Sequence, residues 1–562
     1  MISEKINYAC IIEDKSDFDI MYKKFNSEDN LFIPLGIETF LLCKKHRLNI
    51  FDFKKLIDNK FHIKALHETA LFTQGLKYKK KLNYSIKSEI VGYLRFRLHS
   101  IIFIIELIEK LLENYNIKKL VVSGDKKNLH RLHKCKIISE IVENLYPKIT
   151  LTLNNNLSIT KPKLFEYQTT NLHIKKKRIL ISNGGYNFKR ICSFFKKKKY
   201  NIYLPTFKKL GPIERLTYFF RGIKTIKFSQ KKKKKIQEET FIANINYFYN
   251  EKYDLSILLN NFYQKLNFYF NDLNQKIKSL KTFTKKNNFD LLISNIARGL
   301  DGSILDSDIK SPSLCIPHGI ISVSFNKDDV IYKKIIAEAV MNGESKYFAI
   351  QSKIMNESLL THVLDGKKII TGNLIFSNLY KKSHKKKYVL FATTLKDFTN
   401  LQYLGVDMFY EYWSILDELN LISKERKEKF VVKVHPQFKS CTKNLSKNFK
   451  FLKFSNKRIN SLLKHASSLI SLSSGTIEDA LNSKVPVILY DKNKRYKQMK
   501  IHKIHEKGTA VHYINEKKQL ELALNEIKSC RKFNFNQYIY DYDLNKTLNE
   551  KILPLINHEK NN

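Results

Sequence analysis

Acidic side chains are in short supply. Asp and Glu number 53 against 101 Lys and Arg, a formal net charge of +48 over 562 residues. Such a surface attracts anions: nucleic acid, acidic lipid or phosphorylated substrates. Lys, Asn and Ile are inflated together, so a compositional bias is an equally good source of the charge. Cysteine is also scarce. The seven stand singly at Cys10, Cys43, Cys135, Cys192, Cys315, Cys441 and Cys530. Without a CxxC or a short Cys/His cluster, structural zinc and a disulfide framework are not expected; reduced thiols in a cytosolic setting are. Long apolar runs are missing too. The opening "MISEKINYACIIEDKSD" carries acids early and has no apolar core, so no signal peptide is expected. The most apolar helix candidate, 101–112, contains Glu106 and Glu109. It is too short and too charged to span a bilayer, and a buried core helix is expected instead. No tandem repeat at a fixed period is present.

What remains is a globular composition, 43% hydrophobic, in a chain long enough for two or three domains. Short apolar runs alternate with helical patterns, which points to α/β units with parallel sheets. The runs fall at "INYACII", "KKLVVSGD" and "KITLTL" in the first part, with a long helical pattern around 88–116. A second set begins at "KRILISNGGYN" and continues through "FDLLISN", "SLCIPHG", "KYFAIQS" and "KKIITGN". The basic stretch "YKKSHKKK" (380–387) reads as a linker. A third set follows: "YVLFATT", "KFVVKVHPQ", "ASSLISL" and "VPVILYD". The expected division is an N-terminal α/β region over 1–170, a Rossmann-like unit over 171–380, and a second one over 381–562 ending in helices.

Segment 194–235 differs, because basic residues are interleaved with Phe, Tyr and Leu. Three readings stand open. It suits an acidic membrane surface, where Lys attracts headgroups and aromatics sit at the interface. It suits single-stranded nucleic acid, with bases stacked on rings. It also suits a solvated insertion whose aromatics turn into the core.

Candidate chemistry gathers at strand ends. In "SLISLSSGTIEDALNSKVPVILYD" (468–491) an apolar run stops at Ser473, Ser474, Gly475 and Thr476. Ile477, Ala480 and Leu481 then mark one face of a short helix. Gly475 or Thr476 is the expected N-cap, with Glu478 or Asp479 placed as in a capping box. Hydroxyls and free N–H groups there suit an anion, and the plain alternative is an ordinary capped helix. His435, in "KVHPQ", ends a strand of the same sheet. His318, in "CIPHGI", ends a strand of the preceding unit, with Gly319 giving room beside it. A histidine there has the pKa of a general base near neutral pH; a water-exposed turn histidine is the plain alternative. Asn183, Gly184 and Gly185 form a weaker glycine turn, and Thr393 and Thr394 follow the first strand of the last unit.

The order His-Gly, then His-Pro, then Ser-Ser-Gly-Thr with a nearby Glu, then a Pro-led strand resembles the two-domain GT-B glycosyltransferase superfamily over about 313–491. The last segment is similar to that of capsule polysaccharide transferases, CDP-glycerol glycerophosphotransferases and UDP-N-acetylglucosamine 2-epimerases. "GLDG" at 299–302 is a partial echo of an acidic-Gly motif in bacterial sialyltransferases. The resemblance implies that Ser473, Ser474, Gly475 and Thr476 bind the donor phosphate; Thr393 and Thr394, at a strand end facing the cleft, either contact that phosphate or simply cap a helix. It implies that His435 bonds those phosphates, that Glu478 meets the donor ribose or sugar or caps the helix, and that His318 is the base. The turn at Asn183, Gly184 and Gly185 is not a GxGxxG; it lines the acceptor side or, as the favoured reading, is an ordinary tight turn. The implied activity is metal-independent, inverting transfer from a nucleotide-activated sugar to a surface polysaccharide or lipid-linked glycan. No cofactor beyond that co-substrate is implied, and the 194–235 segment would touch the inner membrane face. A CDP-glycerol-type polyol-phosphate transferase, or a basic nucleic-acid-binding protein, are the alternatives.

Overall fold

The computed structural model describes residues 4–124, 138–153, 164–169, 177–183, 188–235, 237–319, 323–324, 326–359, 362, 365–376, 386–392, 408–435, 441–499 and 506–558. Among them the strands form three largely parallel sheets and one short hairpin. The first sheet, ordered β2-β1-β3-β4, joins β1 (Glu4–Ile12), β2 (Leu31–Pro34), β3 (Tyr115–Ser123) and β4 (Thr150–Leu153) in parallel.

The central sheet runs β14-β13-β12-β11-β6-β7-β8-β5. Its strands are β5 (Phe165–Thr169), β6 (Arg178–Ile181), β7 (Asn201–Thr206), β8 (Ile223–Lys235), β11 (Leu291–Ser294), β12 (Ser313–Cys315), β13 (Tyr347–Ile350) and β14 (Lys367–Ile370). Only β5 is antiparallel to its neighbour. β9 (Phe248–Tyr249) and β10 (Tyr253–Asp254) make the hairpin. The third sheet runs β17-β16-β15-β18-β19-β20: β15 (Tyr388–Phe391), β16 (Phe430–Lys433), β17 (Leu452–Ser455), β18 (Ala466–Ser471), β19 (Val487–Tyr490) and β20 (Val511–Ile514). Both larger sheets grow outward in two directions from an inner pair, β6/β11 and β15/β18. This is the doubly wound Rossmann order, and ligands bind beyond the carboxyl ends of the strands at such switch points. The expected α/β class, two Rossmann-like units and an extra N-terminal α/β region, is what the chain forms.

The apolar strands are covered on both faces, which is why they read as unbroken Ile, Leu and Val. The 101–112 run lies in the Tyr84–Asn114 helix, with Ile101, Ile104, Leu107, Ile108 and Leu111 fully buried. It is a core helix, as expected. No helix among the described residues is long and apolar enough to cross a membrane. Much of the 194–235 segment belongs to the central sheet and its cover. Phe194, Phe195, Ile226 and Phe228 are buried, while Lys224, Lys227 and Lys231 point outward. Within this segment the Pro212–Phe220 helix buries none of its residues.

The sheets are not three separate bodies. Phe40 of the N-terminal region packs on Phe409 and Trp413 of the last unit, at ring-centroid distances of 5.4 and 5.0 Å. Leu66 and Ala70 pack on Tyr332 beside the central sheet. β5 joins the central sheet although it falls before the expected boundary at 170. The end of the chain also departs from the expected 381–562 unit. Leu548, Ile552, Leu555 and Ile556 are buried with Ile179 and Ile293 under the central sheet. The chain's last helices therefore cross back, because the central sheet has an apolar face to cover. The 380–385 part of the expected linker lies outside the described residues.

Gly372 marks that crossing. Its φ is +63, and a Cβ there would stand 2.7 Å from the Tyr542 ring. Gly372→Ala is expected to cost about 1–3 kcal/mol from backbone strain and to loosen the returning tail. A melting temperature lowered by several degrees, with faster proteolysis near 542, is the expected result; an unchanged melt would contradict it.

Candidate active site

The carboxyl edge of the third sheet brings three predicted elements together. β16 leads to His435, β15 to Ala392, and β18 to the 473–476 turn; β15 lies between the other two. His435 and the turn are thus two strand spacings apart, roughly 10 Å. The Thr476 hydroxyl donates to the Ala392 carbonyl at 3.1 Å, tying the helix start to the end of β15. Ser474 Oγ accepts from the Thr476 N–H at 3.3 Å. The N-cap of the Thr476–Asn482 helix is Gly475, in helical conformation and without a side-chain cap bond. The expected capping box does not form. With seven residues the helix has a small dipole, so charge binding at this turn rests on local N–H and hydroxyl donors. His435 is half-buried. Burial, and after it the charge of Lys433, lowers its pKa, which leaves a neutral imidazole able to donate one hydrogen bond.

The central sheet presents its own edge. At its switch point the hydroxyls of Ser182 and Ser294 meet at 2.8 Å. Asn183, half-buried, lies two residues past the end of β6. Two residues past β12 the chain turns at Pro317 and exposes His318. His318 Nδ1 lies 2.9 Å from the carbonyl oxygen of Asn295. A carbonyl only accepts, so Nδ1 carries the proton and Nε2 presents its lone pair. Among the described residues, a Cβ on Gly319 would meet nothing within 4 Å.

The two edges touch. A Cβ built on Gly475 would stand 3.5 Å from the carbonyl oxygen of His318 and 3.8 Å from the Phe376 ring. The His318 loop and the 473–476 turn therefore face each other across the boundary between the two Rossmann units. Beneath them Ser352, just after β13, donates from Oγ to Glu478 Oε1 across the same boundary. Glu478 is completely buried, and its Oε2 has no hydrogen-bond partner among the described residues. Burial pushes its pKa up to about 8, against the lowering effect of the Ser352 bond and with a further push from Asp479. Near neutral pH its carboxyl is mostly protonated.

Gln351 holds the other side of the joint. Its side-chain amide donates to the Pro317 carbonyl at 2.7 Å, and its oxygen accepts from the Leu374 and Ile375 N–H groups at 3.1 and 3.2 Å. It fixes the His318 loop against the segment that leaves the unit. Arg190 reaches the same segment, donating to the Phe376 carbonyl and to Asn373 Oδ1.

Of the residues singled out in the sequence, His318, His435, Ser473, Ser474, Gly475 and Thr476 lie on two facing sheet edges. Glu478 lies below them, aimed at Ser352 and without solvent access. Asn183 sits at the central switch point. Thr393, Thr394, Gly184 and Gly185 lie outside the described residues. The sequence reading missed Gln351, Ser352 and Asn295. The available signal was polar residues directly after the strands "KYFAI" and "DLLIS".

A carboxyl that takes up a proton on folding confers stability that is complete below its ordinary pKa of 4.5 and is lost as pH rises through about 8. That span is worth on the order of 5 kcal/mol. Glu478→Gln keeps an acceptor for Ser352 without the titration. Its melting temperature should fall less than that of the parent chain between pH 5 and pH 8; equal slopes would contradict the assignment.

No protein-family model matches the sequence, and no curated protein matches it. Solved structures do align. One is UDP-GlcNAc 2-epimerase from Methanocaldococcus jannaschii in complex with UDP-GlcNAc and UDP: 13% identity, 67% of this chain, 98% of that one, TM-score 0.43. A second is an S. aureus TarM variant in complex with Fondaparinux, alpha-GlcNAc-glycerol and UDP: 13% identity, 69% and 100% covered, TM-score 0.39. A third is Anabaena HepE in complex with UDP and glucose: 15% identity, 67% and 98% covered, TM-score 0.37.

Proposed function

We propose that the chain is a GT-B glycosyltransferase moving a sugar from a nucleotide-activated donor to a surface polysaccharide or lipid-linked glycan. The observation that carries this reading is the approach of the exposed His318 loop to the 473–476 turn across two switch-point edges. A donor phosphate lies against Ser473, Ser474 and the N–H groups of the turn, with His435 donating from the neighbouring strand end. Thr476 anchors the turn, since its proton is committed to Ala392. His318 Nε2 takes the proton of the acceptor hydroxyl. The acceptor oxygen bonds to the anomeric carbon as the bond to the phosphate oxygen breaks, and the electron pair leaves with the nucleotide. Positioned donors stabilise the departing charge. A single displacement of this kind inverts the anomeric centre.

The membrane contact belongs to the Pro212–Phe220 helix. Ile213, Leu216, Phe219 and Phe220 are 82, 57, 75 and 70% exposed, and all four lie on one short amphipathic element. Lys208, Lys209 and Arg215 stand exposed around it. Apolar side chains beside lysines suit the interface of an anionic bilayer. The rest of 194–235 is accounted for by the central sheet.

Three outcomes are expected. CMP, CDP, UDP or GDP at millimolar concentration raises the melting temperature, because a ligand of the folded state alone stabilises it; no shift with any of them overturns the donor site. His318→Ala lowers transfer by about 10²–10⁴-fold with nucleotide stabilisation unchanged; lost nucleotide binding makes His318 a ligand and not the base. Replacing Ile213, Leu216, Phe219 and Phe220 together by Ser abolishes sedimentation with phosphatidylglycerol vesicles while the melt is retained. Undiminished sedimentation contradicts the membrane assignment.

A further inference from the structure

A cavity of about 270 Å³ lies away from the two sheet edges, between the N-terminal region and the cover of the central sheet. Its walls are the end of the Asn59–Gln74 helix, the first turns of the Tyr84–Asn114 helix, the loop after β11, and the Lys327–Ala337 helix with its continuation. Four cations line it, Lys87, Arg95, Arg298 and Lys334, against the single lining carboxylate of Glu338. Glu338 stands 3.9 Å from Lys334. Glu89, beside Arg298, adds a second acid behind the wall. Burial raises the pKa of both carboxyls, while the neighbouring cations oppose it. Asp301 beside Glu89, Asp365 beside Glu338 and Glu344 near Tyr84 are further acids outside the lining; among the residues that line the cavity itself, four cations face one carboxyl.

The cations are held in place by the fold. The Arg95 guanidinium lies 5.0 Å from the Tyr332 ring and 4.6 Å from the Phe96 ring. Lys87 Nζ lies 5.4 Å from the Tyr78 ring. Tyr78 lines the cavity as well, and its buried hydroxyl has no hydrogen-bond partner among the described residues. A buried donor without an acceptor is uncommon in a folded protein. Gly92 sits inside the Tyr84–Asn114 helix, where glycine is unfavourable. A Cβ there would stand 3.7 Å from Arg298 Nη1, at the cavity wall. Converging cations and an unused hydroxyl share one chemistry, the capture of an oxyanion.

We infer that this cavity binds a phosphate ester, separately from the 473–476 turn. Arg298 is three residues beyond Asn295, whose carbonyl orients His318. An anion held by Arg298 therefore sits one short loop from the catalytic edge. Under the transferase reading, the ester is the phosphate of a lipid-linked acceptor. The anion site itself does not depend on that reading, and a free phosphorylated metabolite carries the same group.

Calorimetric titration of the full chain tests this with two probes, farnesyl phosphate and glycerol 3-phosphate. Farnesol and glycerol serve as neutral controls, all in the presence of saturating UDP. At least one phosphate ester binds and its control does not; the tighter of the two identifies the source. The double substitution Lys87→Gln, Lys334→Gln, at exposed positions, weakens the ester at least tenfold and leaves UDP binding unchanged. Tyr78→Phe weakens it several-fold. If neither ester binds, or if the double variant binds it as tightly as the parent chain, the site is refuted. Failure of UDP binding instead refutes the donor turn and leaves this cavity standing.

Discussion

One buried hydrogen bond joins the two Rossmann units at the point where their edges face, from Ser352 to the carboxyl of Glu478. Burying an ionised carboxylate is costly, and burying a protonated one that is hydrogen-bonded is not. Burial therefore drives Glu478 toward its neutral form. That choice lets the start of the Thr476–Asn482 helix pack flush against the end of β13. The helix start carries the 473–476 turn. The β13 end carries Gln351, which holds Pro317 and so the His318 loop. The relative placement of the turn and the imidazole is thus set by two adjacent residues, Gln351 and Ser352, at one strand end.

Two further packings restrain the joint. The N-terminal region lays Phe40 against Phe409 and Trp413 of the last unit and lays Leu66 and Ala70 against Tyr332 by the central sheet. The returning C-terminal helices bury Leu548 and Ile552 under the central sheet. Both cross the boundary that the Ser352–Glu478 bond crosses. An opening motion has to be small, or it has to break aromatic and aliphatic contacts on either side of the cleft. The extra N-terminal region is therefore part of what fixes the site's geometry, and it forms one wall of the cationic cavity that Arg298 also lines.

The interior strands were legible in the sequence because burial on both faces leaves an unbroken apolar run: "LLIS", "VILY" and "FVV" can hardly be read otherwise. The edge strands "KITLTL" and "KKIITGN" were legible as well, but three others were not. "LFIP", "LKFS" and "VHYI" are short, and the second turns Lys453 toward solvent. β8 was hidden for a different reason. Its outward lysines dominate the text, while the inward Ile226 and Phe228 that make it a strand are few. The strand ends bearing His318, His435 and Ser473 were visible, since small polar residues interrupt apolar runs there. Ser352 was not, because its partner Glu478 is 126 positions away. The same non-locality hid the C-terminal crossing, whose apolar positions look like any amphipathic helix until the face they cover is known.

The most direct test of the central claim is a crystal structure of the chain with a bound nucleoside diphosphate. The account predicts phosphate oxygens within hydrogen-bond distance of Ser474 Oγ and the 473–476 N–H groups, a contact from His435, and His318 Nε2 facing the phosphate across the cleft. A nucleotide seated anywhere else, with the 473–476 turn in contact only with solvent, would contradict it.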